Sequence, residues 1–237
     1  MISFRQGGLL CLGLFILMTG MGMIGTGCLK ISSSSRSSDN SPAEETAGGG
    51  EEAPEQGGEE DRAPDPFIVA LGDSLTTGAA LPARPPYPAR VATITGMRVV
   101  NAGVSGISAC AGAKRAGSAM ASQPTTVLIL FGTNDVIAGH DLNGSKECLR
   151  LMIRNAVGAG ARPILGTIPP MRGEMANLNA RVNEMNGHIR ALAGEEGCRL
   201  VDVHGQFGNG EGLLLPDGFH PNETGTQLIA FAFADAL

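Results

Sequence analysis

The sequence predicts an α/β protein, a three-layer α/β/α sandwich with a five-stranded parallel sheet. Five short apolar runs follow residue 66, and helical patterns lie between and after them. The runs are continuous rather than alternating, which is typical of strands that helices cover on both faces. Strands that alternate with helices favour right-handed βαβ crossovers and hence a parallel sheet.

The predicted strands are "FIVAL" (67–71), "MRVV" (97–100), "TVLILF" (126–131), "PILGTI" (163–168) and "RLVDV" (199–203). Apolar residues at three- and four-residue spacing predict amphipathic helices. These helices cover 148–157, about 178–193, and the chain after Asn222. Residues 67–237 therefore form one predicted domain, which is long enough for a single core.

Residues 1–27 have the architecture of a signal peptide. Arg5 precedes the apolar stretch "LLCLGLFILMTGMGMI", and the small residues "GTG" stand before Cys28. An uncleaved membrane helix is the alternative, since about 20 apolar residues span a bilayer, but glycines weaken this stretch. The run "GTGC" resembles the lipobox of bacterial lipoproteins, although Gly25 stands where that motif usually has Leu. We therefore expect export to a bacterial cell envelope, with lipidated Cys28 as the only contact with the membrane. Plain secretion and a retained membrane anchor are the alternatives.

Residues 28–66 predict a disordered tether. The segment is rich in Ser, then in Gly, Glu and Pro, and has few apolar side chains to offset its ordering entropy. It contains many of the acidic residues that give the chain its net charge of −6. No basic cluster with interleaved aromatic residues occurs, so nucleic-acid binding is not expected.

Three of the five cysteines fall in the predicted domain, namely Cys110, Cys148 and Cys198. One disulfide is possible in an exported domain, and we favour Cys110 with Cys148. Cys198 opens an apolar strand and is expected to be a buried thiol. No Cys/His spacing indicates a metal site.

Polar segments end three of the predicted strands and precede the last helix. They are "GDSL" (72–75), "NAGVSG" (101–106), "GTND" (132–135) and "DGFHPN" (217–222). In open parallel sheets the ligand lies outside the carboxyl ends of the strands. All four segments are therefore expected at one edge of the sheet.

Ser74 is the candidate nucleophile at this edge, and it needs a base to take its proton. His220 is the preferred base, because Asp217 precedes it on a glycine-containing loop and can accept a hydrogen bond from Nδ1. His140 follows the third strand without an acid placed to orient it. The other histidines are His188, expected on a helix surface, and His204, expected in a loop.

Three donors are candidates for stabilising the oxyanion of acyl transfer. They are the backbone N–H of Ser74, the backbone N–H of Gly103 and the side-chain amide of Asn134. Asp73 and Asp135 stand beside the serine and the asparagine. We expect their carboxylates to hold the loops by accepting from backbone N–H groups.

These four blocks resemble those of the SGNH hydrolases, also called the GDSL esterases and lipases, over residues 67–237. The resemblance implies a flavodoxin-like fold and hydrolysis through an acyl-enzyme, without a cofactor. It implies Ser74 as nucleophile, His220 as base and Asp217 as the third member. Ser74, Gly103 and Asn134 would form the oxyanion hole. Other stretches are similar to small lysophospholipase-like members.

The expected substrates are esters with short or medium acyl chains, lysophospholipids or O-acetylated sugars, and the acyl length stays open. Loops 135–144, 169–177 and 204–216 are expected to shape the pocket, with Met171 and Leu213 to Leu215 as an acyl wall or a buried plug. The absence of Trp argues against an extended stacking platform for polysaccharide. A tethered binding or structural module with a vestigial site is the alternative function, and a monomer is favoured.

Overall fold

A five-stranded parallel sheet with helices on both faces forms the centre of the computed structural model, which describes residues 66–237. The strand order is β2-β1-β3-β4-β5, and every neighbouring pair is parallel. This order and layering confirm the predicted flavodoxin-like α/β/α sandwich. The predicted signal peptide, the tether and Cys28 lie outside the described residues.

The strands are β1 (Phe67–Gly72), β2 (Arg98–Asn101), β3 (Thr126–Leu130), β4 (Arg162–Gly166) and β5 (Arg199–Val201). The helices are α1 (Ser74–Thr77), α2 (Tyr87–Thr95), α3 (Ala109–Met120), α4 (Thr133–Ile137), α5 (Leu142–Gly158), α6 (Asn179–Glu195), α7 (Val203–Phe207) and α8 (Glu223–Asp235). A 3₁₀ helix (Gly173–Leu178) precedes α6. Within residues 66–237, no helix is long and apolar enough to cross a membrane.

The sheet separates two apolar core layers. Along β1, Phe67, Val69 and Leu71 face the layer that α3, α5 and α6 cover. Ile68 and Ala70 face the opposite layer, beneath α2 and α8. Both faces of the strand are buried, which explains why its sequence is apolar at every position. In the second layer the ring of Tyr87 stacks on Phe233 at 5.3 Å.

The predicted strand and helix positions agree with the structure apart from their ends. The strand predicted to reach Ile168 stops at Gly166, and β5 stops at Val201 because Val203 already begins α7. The helix predicted from Cys148 begins earlier, at Leu142, where Asp141 caps its first N–H groups.

Helices α2 and α3 are absent from the prediction. The buried face of α3 consists largely of Ala and Gly, so it has no row of large apolar residues at three- and four-residue spacing. Close packing requires these small residues, since a Cβ on Gly112 would lie 2.5 Å from the ring of Phe131.

Cys110 on α3 and Cys148 on α5 form a disulfide, with their Cα atoms 4.9 Å apart. The favoured pairing is therefore the one in the structure. Cys198 is free and only half-buried, in contrast to the expectation of a buried thiol. Even this partial burial raises the pKa of the Cys198 thiol above its usual value.

Candidate active site

The four polar segments converge at the carboxyl edge of the sheet, as expected. Ser74 begins α1 directly after β1, and Gly103 follows β2. Asn134 lies in the first turn of α4 after β3, and His220 lies shortly before α8. The strand order changes direction between β1 and β3, which is where ligands bind in open α/β sheets.

Two hydrogen bonds join Ser74, His220 and Asp217 in series. Ser74 Oγ lies 2.9 Å from His220 Nε2, and His220 Nδ1 lies 2.7 Å from Asp217 Oδ2. An ionised carboxylate only accepts hydrogen bonds, so it fixes the proton on Nδ1 and leaves Nε2 to accept from the serine hydroxyl. A nucleophile, a base and a group that orients the base are the parts needed for acyl transfer.

The loop around Gly218 holds the Asp217 carboxylate in place. Asp217 Oδ1 accepts from the backbone N–H of Phe219 at 3.1 Å and of His220 at 3.0 Å. Gly218 has a φ of +82°, and a Cβ there would overlap the carbonyl oxygen of Arg172. Partial burial by itself raises the pKa of Asp217, but the hydrogen bonds from the ring and the two N–H groups outweigh it and hold the pKa below its usual value.

Asp73 fixes the turn from which Ser74 emerges. Its Oδ1 accepts from the backbone N–H of Leu75 at 2.9 Å and caps α1. Its Oδ2 accepts from Asn134 Nδ2 at 3.2 Å. Burial of this side chain, with only 1% exposed, raises the pKa of Asp73 to about 7 despite the hydrogen bond from Leu75. The expected loop-holding contact is present, and the contact to Asn134 is additional.

Asn134 is held between two acceptors. Nδ2 donates to Asp73 Oδ2 at 3.2 Å and to the carbonyl oxygen of Ile107 at 3.0 Å. The two acceptors fix the plane of the amide beside Ser74 before any substrate is present. The bond to Asp73 is the longer of the two.

Gly103 has a hydrogen-bond partner that the sequence did not predict. Its N–H donates to Asn101 Oδ1 at 3.0 Å, and Asn101 Nδ2 in turn donates to the carbonyl oxygen of Thr76 at 2.8 Å. A Cβ at position 103 would lie 2.8 Å from the backbone nitrogen of Thr77. The glycine is therefore required for the close approach of α1, independently of any role as an oxyanion donor.

Asp135 ties the loop of Asn134 to two helices. Its Oδ2 accepts from the backbone N–H of Ala109 at the start of α3 at 2.9 Å. Its Oδ1 accepts from Ser145 Oγ on α5 at 2.6 Å. The Cys110–Cys148 disulfide joins the same two helices next to these contacts. Asp135 thus has the expected structural contact, and the disulfide braces it.

The remaining histidines lie apart from Ser74. His140 is exposed, and its Nδ1 is 3.7 Å from Asp135 Oδ1, which is too long for a hydrogen bond. His188 lies on α6 with its Nε2 3.9 Å from Glu184 Oε1. The ring of His188 is more enclosed than expected for a residue on the helix surface, because its Nε2 atom is buried. His204 lies in α7, where partial burial lowers its pKa.

Two depressions meet at Ser74 and His220. The first is open and has a volume of about 370 Å³. The second is narrow, with free space of about 10 Å³. The open depression is lined by Ser74, Ala79, Ala80, Ser105, Gly106, Asn134, Phe219 and His220. The narrow pocket is lined by Ser74, Leu75, Gly78, Ala80, Leu81, Arg84, Pro85, Pro86, His220, Pro221 and Thr226.

The segment 78–86 supplies most of the lining of the narrow pocket, a role that its sequence did not predict. The expected acyl wall lies elsewhere. Met171 is 2% exposed in the core layer under α6, and Leu213 and Leu214 pack against the layer under α8. None of the three lines either depression. The segment "GAALPARPP" has no apolar periodicity that would have marked it as a pocket wall.

Comparisons with known proteins agree on one family. The model of the GDSL-like lipase/acylhydrolase family matches residues 70–228. Thioesterase 1/protease 1/lysophospholipase L1 of Escherichia coli is 31% identical over 179 residues, which cover 72% of this chain and 82% of the relative. An acetylxylan esterase of Xylanibacter ruminicola is 27% identical over 72% of this chain and 42% of its own length.

A solved structure shows the same fold. The crystal structure of a member of the lipolytic protein G-D-S-L family from Veillonella parvula superposes with a TM-score of 0.64. The match covers 72% of this chain and 97% of that chain at 22% sequence identity.

Proposed function

Because this chain belongs to the GDSL-like lipase/acylhydrolase family and is a hydrolase of ester bonds, we propose that it works through an acyl-enzyme on Ser74. His220 is the general base, and Asp217 orients it. The observation that carries the proposal is the continuous hydrogen-bonded series from Ser74 Oγ to His220, 2.9 Å, and on to Asp217, 2.7 Å.

Acylation begins when Ser74 Oγ attacks the ester carbonyl carbon while its proton passes to His220 Nε2. The tetrahedral intermediate collapses, the bond from carbon to the alcohol oxygen breaks, and Nε2 returns the proton to the departing alcohol. Water then attacks the acyl-serine and gives a proton to Nε2. When the bond to Oγ breaks, this proton returns to Ser74, and the carboxylic acid leaves.

The ionised Asp217 stabilises the imidazolium that exists between these proton transfers. Its pKa lies below the usual value, so it keeps its charge throughout the neutral range. The carboxylate does not take the proton itself, because Nδ1 keeps its hydrogen while Nε2 does the transfer. Its contribution is to hold the ring at the angle from which Nε2 reaches Ser74.

The oxyanion is received by the backbone N–H of Ser74 and by the amide of Asn134. The Ser74 N–H has no hydrogen-bond acceptor in the part of the chain that the structure describes. Asn134 gives up its 3.2 Å bond to Asp73 when the oxyanion forms. The Gly103 N–H becomes a third donor once the oxyanion replaces Asn101 Oδ1 as its acceptor. One such donor contributes about 3 to 4 kcal/mol to the barrier.

Small esters, lysophospholipids and O-acetylated sugars are the proposed substrates. The names of two relatives, a lysophospholipase and an acetylxylan esterase, support this range. The open depression, about 370 Å³ in volume, supports a bulky group on one side of the ester. No cofactor is required, since the nucleophile, the base and the oxyanion donors are all protein groups.

Export with lipidation of Cys28 is the proposed location. The disulfide between Cys110 and Cys148 supports an oxidising compartment, where such bonds persist. Labelled palmitate fed to expressing bacteria should appear in the protein and be lost in Cys28→Ala. A protein that incorporates no label but is found in the medium would point to secretion instead.

The enzymatic proposal is tested by hydrolysis of p-nitrophenyl acetate by the purified full-length chain. Ser74→Ala should remove the activity. Ser122→Ala is the control, because Ser122 is exposed, its hydroxyl donates to the carbonyl oxygen of Ala119 at 2.9 Å, and it lines neither depression. Activity that survives in Ser74→Ala would refute the assigned nucleophile.

A further inference from the structure

The narrow pocket beside Ser74 and His220 fits a group no larger than a methyl. Its free space is about 10 Å³, about the room that a single water-sized group needs. Its lining includes the apolar side chains of Leu75, Leu81 and Pro221. An apolar lining offers a poor environment for a hydroxyl or a charge, and a good one for a hydrocarbon group.

We propose that this pocket holds the methyl of an acetyl group and makes the enzyme selective for acetyl esters. The inference rests on the proposed function and specifies its acyl group. An ester carbonyl carbon at Ser74 carries an acyl group on one side and an alcohol on the other. With the carbonyl oxygen directed to Asn134, the open depression takes the larger group and the narrow pocket takes the smaller. A bulky alcohol therefore pairs with a short acyl group.

The pocket wall is fixed by contacts to α2 and α8. Arg90 Nε donates to the carbonyl oxygen of Pro85 at 2.9 Å, and Arg90 Nη1 donates to Gln227 Oε1 on α8 at 2.6 Å. Arg84 Nε lies 3.3 Å from Glu223 Oε2, also on α8. The Arg90 bonds tie the Pro85 end of the segment 78–86 to the helix that carries Thr226 on the opposite wall, whereas the Arg84–Glu223 pair is exposed and adds little.

The base of the segment is equally constrained. Gly78 has a φ of +73°, and a Cβ there would lie 2.7 Å from Cβ of Pro86. Backbone N–H groups of Leu81 and Arg84 donate to the carbonyl oxygens of Gly78 and Leu81, each at 2.9 Å. The prolines at 85 and 86 restrict the backbone further. A wall held in this way has little freedom to move aside for a longer chain.

The test compares kcat/KM for p-nitrophenyl acetate, propionate, butyrate and octanoate, using the full-length chain. Each methylene that does not fit a rigid pocket costs about tenfold or more. We therefore expect acetate to exceed butyrate by at least about 100-fold in the wild type. Leu81→Ala should open the pocket and reduce this ratio by about tenfold or more, mainly by raising the rate with butyrate.

Leu214→Ala is the matched control. Leu214 is also a partly buried leucine, and its loop was first expected to form the acyl wall, but it lines neither depression. It should leave the ratio of acetate to butyrate unchanged. A wild type that hydrolyses octanoate as fast as acetate, or a ratio that moves with Leu214 and not with Leu81, would overturn the inference while leaving a Ser74-dependent esterase intact. Absence of Ser74-dependent activity on every ester would overturn the proposed function as well.

Discussion

Removing the disulfide between Cys110 and Cys148 should destabilise the domain by a predictable amount. The bond joins α3 to α5, and the two cysteines are 38 residues apart in sequence. Both helices also hold Asp135, which directly follows Asn134 in α4. The double variant Cys110→Ala, Cys148→Ala removes the crosslink and leaves these hydrogen bonds in place.

The magnitude follows from the entropy of the unfolded chain. Closing a loop that spans 38 residues restricts the unfolded ensemble by about 4 kcal/mol at 25 °C. For a domain of this size, that loss corresponds to a fall in Tm of about 10 °C. The effect acts mainly on the unfolded state, so the native contacts around Asp135 should change little.

Urea denaturation measures the free energy of unfolding directly. The comparison uses wild type with and without dithiothreitol and the double variant. Cys198→Ser is the control for loss of a free thiol. We expect the reduced wild type and the double variant to agree within about 1 kcal/mol and to lie about 4 kcal/mol below the oxidised wild type. A difference of less than about 1 kcal/mol between the oxidised and reduced wild type would refute the reasoning.

Three further changes test the site. Asn134→Ala should lower kcat by about 10²- to 10³-fold with little change in stability, because one oxyanion donor is lost; near-normal turnover would remove Asn134 from the oxyanion hole. Asp217→Asn should lower kcat by up to about 10⁴-fold while leaving residual catalysis, because the ring loses its orienting charge; full activity would indicate a Ser-His dyad. Burial raises the pKa of Asp73 from 3.8 to about 7. The folded state therefore binds this proton more tightly than the unfolded state does. The resulting contribution to stability is fully present below pH 3.8 and is lost as the pH rises towards 7. Between pH 4 and pH 8, the free energy of unfolding of Asp73→Asn should rise relative to that of wild type by up to about 4 kcal/mol. If urea denaturation shows a difference between the two proteins that does not depend on pH, the inferred cost of burying the Asp73 charge is wrong.

The sequence predicts the sheet and the edge of the site because each depends on a local pattern. A strand such as Phe67–Gly72 is buried on both faces, so its composition alone identifies it. Parallel strands place their carboxyl ends together, so the segments of Ser74 and Asn134 were expected to meet. The contact of Asp217 with His220 was also predictable, since the two residues are three apart on one loop.

Other features depend on contacts between distant residues, which leave no periodic signal. The wall of the narrow pocket is fixed by Arg90 and Gln227, which are 137 residues apart in sequence. The side chain that accepts from the Gly103 N–H, Asn101, is itself held by a bond to the carbonyl oxygen of Thr76, 25 residues earlier on α1. Helix α3 was not predicted because its packing against Phe131 requires small residues, and its buried face therefore lacks the large apolar side chains by which the other helices were identified.

Covalent labelling of the serine tests the acyl-enzyme proposal most directly. The full-length protein is treated with diethyl p-nitrophenyl phosphate, which transfers a phosphoryl group to an activated serine, and the adduct is located by mass spectrometry. We predict one adduct per chain, on Ser74, with loss of esterase activity in the same proportion. His220→Ala should abolish the adduct, because the hydroxyl would lose its base. Labelling on another serine, or esterase activity that persists after Ser74 is fully modified, would contradict the proposal.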